Sequence, residues 1–146
     1  MQSFGTVKSF EQTFGVEEKS EVNITMPGDT TRNCDITAVC ELPNRISVLA
    51  DAANTSLKLV NESFQQLTQC TLPRSPLDMC VKEETELAVV KSRKVHFYLL
   101  EKSGLRVEKV ITIGDQSNGI AYLNSHIFVA KKTELFKYSL DGKTDK

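Results

Sequence analysis

The chain has 146 residues, with 18 basic and 19 acidic side chains and a formal net charge of −1. This balance provides no field that would concentrate a polyanion, so it excludes non-specific attraction to nucleic acid or to an anionic membrane as the main activity. Hydrophobic residues make up 40% of the chain and charged residues 25%, which is typical of a folded globular protein and argues against intrinsic disorder.

The N-terminal sequence lacks the apolar run of a secretory signal, and no stretch approaches the roughly 18 apolar residues of a membrane span. We therefore expect a cytoplasmic protein without a membrane partner. In that compartment the four cysteines are expected to be reduced thiols, because disulfides persist mainly in oxidising environments.

Residues 1–33 are predicted to form an N-terminal segment that carries the end of a structural unit lying before it. Residues 21–26 have the composition of the last strand of that unit. Residues 4–7 and 10–16 are candidates for its earlier strands, because they too are short runs of apolar and β-branched residues.

A repeat of about 41 residues begins at residue 34. Within three similar apolar runs, Thr37, Asp78 and Gly119 stand at intervals of 41 residues. Each full copy holds four such runs, which are too short for helices and are rich in β-branched and aromatic side chains. Four antiparallel strands in a unit of this length are the content of one propeller blade. The sequence therefore predicts an all-β fold, a partial β-propeller of about three to four four-stranded antiparallel blades.

The predicted blades occupy residues 34–74, 75–115 and 116–146, of which the last is incomplete. Propellers usually close into rings of about four to eight blades, so three to four blades form an open arc. An open arc leaves unpaired strand edges that can pair with another chain. Self-association through these edges is therefore expected.

Polar turns and connections supply the candidate interaction surface, because rigid β scaffolds carry their contact residues on loops. These residues fall on two sides of the array, and the sequence leaves open which side binds. The candidate contact residues are Asn44, Arg45, Asp51, Asn54, Arg74, Asp115 and Asn118.

The sequence contains no recognisable catalytic or metal-binding constellation. The four cysteines do not have the paired spacing of a zinc site, and three of them, Cys40, Cys70 and Cys80, fall on core-strand positions of the repeat. The repeat places no nucleophile beside His96 or His126. We therefore predict that the chain is not an enzyme and carries no cofactor.

Asp78 is the carboxylate that bears on an alternative. It lies in the innermost predicted strand, where propeller hydrolases gather oxygen ligands for a divalent cation. Thr37 and Gly119 occupy the equivalent positions and add no charge. We interpret Asp78 as a turn-capping or channel-lining residue.

Several short motifs resemble the NHL-like six-bladed propellers at the C-terminus of tripartite-motif (TRIM) proteins, especially the set expanded in invertebrates. They are Cys34-Asp35-Ile36-Thr37, Leu42-Pro43, Ala50-Asp51 with Asn54, Leu57-Lys58-Leu59, Pro76-Leu77-Asp78 and the leading Phe4-Gly5-Thr6-Val7. The chain departs from that family where Asn44-Arg45 replaces the usual Asp-Gly, and it lacks the Asn-His-Leu signature.

The resemblance implies a recognition platform for a protein partner, or in some relatives for RNA, within an E3 ubiquitin ligase whose zinc modules lie elsewhere. Our leading hypothesis is a non-catalytic protein-interaction module that presents loops to a partner. The alternatives are a fragment of a metal-dependent propeller hydrolase and an RNA-binding propeller face.

Overall fold

A computed structural model describes residue 15 and residues 19–140. The candidate strands at residues 4–7 and 10–16 lie outside these residues, apart from Gly15. None of the described residues forms a helix long and apolar enough to cross a membrane.

Eleven β-strands, and no helix, are formed by the described residues. The strands are β1 Ile36–Glu41, β2 Ser47–Asp51, β3 Ser56–Val60, β4 Gln66–Thr71, β5 Asp78–Glu83, β6 Glu86–Lys91, β7 Lys94–Glu101, β8 Gly104–Thr112, β9 Gly119–Leu123, β10 His126–Lys131 and β11 Glu134–Tyr138.

These strands form three antiparallel sheets of consecutive strands. The first sheet has the order β1-β2-β3-β4, the second β5-β6-β7-β8, and the third β11-β10-β9. The predicted all-β class with four-stranded antiparallel units is therefore confirmed. Because consecutive strands alternate in direction, the turns divide between two ends of the array. We call the end that holds the β2–β3 and β6–β7 turns and the connections between sheets the connection end, and the other the hairpin end.

Each turn between the second and third strands of a sheet contains one residue in the left-handed region. These residues are Thr55, Ser92 and Lys132, with φ of 50°, 54° and 50°. That backbone conformation is uncommon for residues other than glycine, and it persists where surrounding contacts hold it. In the first two sheets, backbone bonds of 2.8 Å from Leu72 to Thr55 and 2.9 Å from Ile113 to Arg93 hold these turns against the end of the fourth strand.

The hydrophobic core lies between the sheets. One cluster, which includes Val48, Leu57 and Leu87, joins the first and second sheets. A second cluster, which includes Val90 and Ile127, joins the second and third. Because each sheet shares its core with its neighbour, the predicted division of the chain at residues 34, 75 and 116 stays a prediction.

Residues 21–26, predicted as a strand, form none. The segment is held to the first sheet by side-chain hydrogen bonds and not by a ladder of backbone hydrogen bonds. The Lys58 ammonium donates to the Ile24 carbonyl at 3.0 Å, and the Gln66 amide donates to the Thr25 carbonyl at 2.7 Å. The fourth strand of the first sheet begins at Gln66, and its first two residues are exposed.

Candidate functional site

Five of the seven predicted contact residues are exposed. Asn44 and Arg45 lie in the β1–β2 turn at the hairpin end, whereas Arg74, Asp115 and Asn118 lie in the connections between sheets. The structure thus distributes them over the two ends, as the repeat predicts. Arg45 pairs with Glu62 at 3.2 Å, and both side chains are largely exposed.

Asp51 and Asn54 are buried and do not belong to an exposed loop surface, in contrast to their predicted place. The Asn54 amide donates to Asp51 Oδ2 at 2.8 Å, and its carbonyl oxygen accepts the backbone N–H groups of Thr30 and Thr31, each at 2.9 Å. These bonds fasten the N-terminal segment onto the first sheet. The two residues therefore build the fold.

Lys58 lies at the centre of this buried cluster. Its ammonium contacts Asp29 Oδ2 at 2.7 Å, Asp51 Oδ2 at 2.9 Å and the Cys34 sulfur at 3.3 Å. Burial alone would lower the pKa of Lys58, but hydrogen bonds to Asp29, Asp51 and Cys34 outweigh it and hold that pKa above its ordinary value.

Asp29, Cys34 and Asp51 also have the donor types and the mutual distances, all within 4.8 Å, of a metal site. The Lys58 ammonium contacts all three of these ligand groups and supplies the positive charge a cation would bring. Although burial alone would raise the pKa of Asp51, hydrogen bonds from Asn54 and Lys58 hold it well below its usual range. We interpret the cluster as a structural ion network.

Asp78 and Thr37 connect the innermost strands of neighbouring sheets. Asp78 Oδ2 accepts the backbone N–H of Ile120 at 2.9 Å. Thr37, at the equivalent position of the first sheet, donates its hydroxyl to the Pro76 carbonyl at 3.1 Å. Both side chains therefore join one unit to the next, which is a different role from the turn-capping or channel-lining one that the sequence suggests for Asp78.

All four cysteines are free thiols. Cys40 and Cys80 lie in β1 and β5, where burial raises their pKa values to about 11 and about 12. Such thiols are protonated near neutral pH and are poor nucleophiles. Cys70 lies in β4, so all three cysteines that the repeat places on strands do lie on strands.

Two clefts open where the first and second sheets meet. The first, at the connection end, has a volume of about 560 Å³, and we call it the basic cleft. Its lining residues are Pro73, Arg74, Lys91, Ser92, Arg93, Lys94 and His96.

The second cleft, at the hairpin end, has a volume of about 620 Å³ and includes Asn44, Leu67 and Gly104 in its lining. Leu67 is 48% exposed there. Gly104 adopts a φ of 123°, which a side chain would strain, so the first residue of β8 must be glycine.

Lys91 is the buried charged group of the basic cleft. It is the last residue of β6, only 1% exposed, and within the described residues its ammonium makes one hydrogen bond, to the Tyr98 hydroxyl. The ammonium also lies 4.8 Å from the centre of the Tyr98 ring. Burial lowers the pKa of Lys91 to about 8.

His96 is a second polar side chain in the same cleft, and one of its ring nitrogens lacks a hydrogen-bond partner among the described residues. Burial, followed by the charges of Lys91 and Lys94, lowers its pKa to about 4, so the ring is neutral near pH 7. Its Nδ1 atom is buried and has no hydrogen-bond partner within the described part of the chain. None of the described residues that line this cleft is acidic.

Sequence reasoning selected Arg74 from this cleft but missed Lys91, Arg93, Lys94 and His96. One signal was available, since Lys91 and Lys131 stand 40 residues apart at the ends of otherwise apolar runs. A repeated charge at the end of a core strand indicates a buried polar position, because lysine is almost never fully buried without a partner.

Neither a protein-family model nor a curated relative matches the chain. Solved structures do resemble it. The β-propeller domain of Cps50 (Swd1) from Myceliophteria thermophila aligns with a TM-score of 0.66 and 11% identity over 79% of this chain and 43% of that chain. The Pan2 WD40 domain from Neurospora crassa aligns with a TM-score of 0.63 and 13% identity, over 76% and 35%. Virginiamycin B lyase from Staphylococcus aureus aligns with a TM-score of 0.61 and 13% identity, over 75% and 40%.

At these identities the similarity shows the fold, which is that of a β-propeller. The chain spans about two fifths of the length of the first solved structures that it resembles, with shares of 43%, 38% and 43%. The similarity extends to propellers of different chemistry, so function must be argued from the clefts and turns of this chain.

Proposed function

We propose that this chain is a non-catalytic protein-interaction module of the propeller type. The observation that carries the proposal is the pair of open clefts between the first and second sheets, one at each end, with exposed turn residues such as Asn44 and Arg74 in their linings. The first and second sheets beneath them share one buried core, so the turns are held in fixed relative positions. Rigid presentation of loop side chains lowers the entropy cost of binding a partner.

We further propose that the module works within a longer protein. There it would recognise the substrate of an E3 ubiquitin ligase of the TRIM type, as an NHL-like propeller does. The share of each solved propeller that this chain spans supports a larger ring. Four free thiols also support a reducing, cytoplasmic setting.

Two features weigh against a metal-dependent hydrolase. The Asp78 carboxylate already accepts a backbone N–H, and the buried carboxylates of Asp29 and Asp51 surround the Lys58 ammonium. A cation at either place would have to displace these bonds. RNA binding has a specific observation behind it, the positive charge of the basic cleft, and we treat it as the second candidate.

Self-association is part of the proposal for the third sheet. Its edge strand β11 pairs only with β10 among the described strands, and Leu135 on that strand is 70% exposed. Such an edge can accept a strand from another copy. Sedimentation of the full chain over a range of concentrations tests this proposal, and a monomer at every concentration would exclude it.

Site-specific crosslinking tests the proposed function. A photo-reactive amino acid is placed at Asn44 for the hairpin end, at Arg74 for the connection end, and at exposed Glu108 in β8 as the control. We expect a discrete protein adduct in extract of the cells that express the chain, from Asn44 or Arg74 and not from Glu108. Excess unlabelled chain should compete it away. Equal adducts at all three positions, or none, would contradict the proposal.

A further inference from the structure

The three sheets carry equivalent pairs of side chains on the face that each turns toward the preceding part of the chain. The last residues of β2, β6 and β10 are Asp51, Lys91 and Lys131. The third residues of β3, β7 and β11 are Lys58, His96 and Phe136. Each sheet thus places one residue from each set side by side.

In the first sheet this pair is complementary in charge, because Asp51 contacts Lys58 at 2.9 Å. In the third sheet the Lys131 ammonium lies 4.5 Å from the centre of the Phe136 ring. It also donates to the Tyr138 hydroxyl at 2.6 Å and to the Ile113 carbonyl. Both lysines therefore have several partners within the chain.

The second sheet is the exception. Its pair is Lys91 and His96, two basic groups, and neither contacts a carboxylate among the described residues. The connection that precedes the first sheet contributes Asp29 to its lysine, whereas the connection that precedes the second contributes Arg74. Arg93 and Lys94 add two more positive side chains at the mouth of the cleft. A buried ammonium without a counter-charge is unfavourable, and an anion that enters the cleft would supply the missing charge.

We propose that the basic cleft binds a dianionic phosphate group. The guanidinium groups of Arg74 and Arg93 suit the oxygens of a phosphate, and Lys91 and Lys94 add point charges. Neutral His96 can donate through Nδ1 in one tautomer, which would satisfy its unpaired atom. Several cations around one opening exceed what a single carboxylate neutralises, so a phosphate monoester with nearly two negative charges fits better.

The phosphate group can be free or carried by a protein partner. A protein-borne phosphate rests on the proposed function, whereas the phosphate site itself does not. The two are separated by their probes: inorganic phosphate tests the cleft alone, and a phosphoserine peptide beside its unphosphorylated form tests delivery by a protein segment. Failure of the crosslinking experiment with retained phosphate binding would leave the cleft as a site for a free phosphate compound.

The test measures binding to the full chain and to two matched variants. Lys91→Met removes the buried charge and keeps the side-chain size, whereas Lys131→Met changes the equivalent lysine outside the cleft. We expect phosphate, compared with chloride at equal ionic strength, to raise the thermal unfolding midpoint of the wild type. We expect affinity about tenfold lower in K91M, as for loss of one charge-assisted hydrogen bond, and unchanged affinity in K131M. If K131M does not fold, exposed Lys109→Met in β8 is the control.

A second readout separates binding from stability. Phosphate should raise the pKa of the Lys91 ammonium, followed by NMR titration of labelled lysine, because the bound anion favours the charged form. Equal phosphate affinity in wild type and K91M, or no shift in the Lys91 titration, would overturn the proposal. So would binding of single-stranded RNA that requires Lys91 while phosphate monoesters do not bind, because the cleft would then recognise a phosphodiester backbone.

Discussion

Lys58 and Lys91 are both buried, yet among the residues that the structure describes the first has two carboxylates around it and the second has none. The Lys58 ammonium bridges Asp29 and Asp51, and its pKa is raised. Within residues 19–140 the Lys91 ammonium bonds the Tyr98 hydroxyl alone, and burial lowers its pKa to about 8. Buried lysines on the corresponding faces of two neighbouring sheets thus serve two purposes. Where the chain supplies the counter-charge the lysine fastens the fold, and where it does not the lysine remains available to an external anion.

The largest expected effect comes from Lys58→Met. This variant leaves the Asp29 and Asp51 carboxylates buried without their cation, which costs about 3–5 kcal/mol of unfolding free energy. Because domains are stable by only about 5–15 kcal/mol, the variant should be close to unfolded. Chemical denaturation followed by circular dichroism measures it. K91M, which strands no carboxylate, serves as the matched control and should lose less than 1 kcal/mol; equal losses in the two variants would remove the distinction between the two lysines.

The next largest effect is expected from acid, which should lower the stability that the Asp29 and Asp51 carboxylates around Lys58 contribute. The pKa values of Asp51 and Asp29 are lowered in the folded protein by hydrogen bonds from Asn54, Lys58 and other donors that outweigh their burial. The stability they contribute is present above about pH 4, the unfolded value, and is lost as pH falls through the folded values. We expect about 1 kcal/mol to be lost per strongly depressed carboxylate by pH 3, because each pH unit below the unfolded pKa costs about 1.4 kcal/mol. Urea unfolding at pH 7, 5 and 3 checks this, and a stability that stays constant from pH 5 to pH 3 would contradict it.

Raising the pH should change the stability through deprotonation of Lys91. Its folded pKa of about 8 lies below the unfolded value, so the folded state loses this proton first and the wild type gains stability between about pH 8 and pH 10. K91M lacks this dependence. From pH 7 to pH 10 the wild type should therefore gain about 2 kcal/mol of unfolding free energy relative to K91M.

The neighbouring groups Cys70, Tyr98, His96 and Lys94 are present in both of these proteins. Their own titration therefore cancels to first order in the difference. Denaturation of the two proteins side by side at each pH is the measurement, and a difference that does not change with pH would show that Lys91 has an ordinary pKa.

The repeat period allowed the fold to be predicted, but the two lysine environments could not be. Apolar runs at intervals of 41 residues, such as those at Thr37 and Asp78, reflect local alternation that any blade must satisfy. The surroundings of Asp51 and Asn54 depend on Thr30, which bonds Asn54, and on Asp29, which pairs with Lys58. Both belong to a segment without periodicity that folds back onto the first sheet. Composition alone indicates a loop at Asp51, because aspartate and asparagine favour turns.

The basic cleft escaped prediction for a related reason. Arg74 comes from the connection before β5, whereas Lys91 and His96 come from two different strands of the second sheet. Their proximity is set by the packing of one sheet on the next, which no single run of sequence expresses. The alignment of Lys91 with Lys131 does mark the position, but it does not tell which of the two finds partners inside the chain.

The smallest expected effect concerns an ion pair of the same chemistry on the surface. Arg45 and Glu62 are 3.2 Å apart, but their side chains are 73% and 64% exposed. Water and salt screen such a pair, and the two long side chains lose freedom when they form it. Arg45→Ala should therefore change the unfolding free energy by less than about 0.5 kcal/mol, measured by the same denaturation. A loss of stability comparable to that of K58M would mean that burial does not explain why the Lys58 pairs stabilise the fold more than the Arg45–Glu62 pair does.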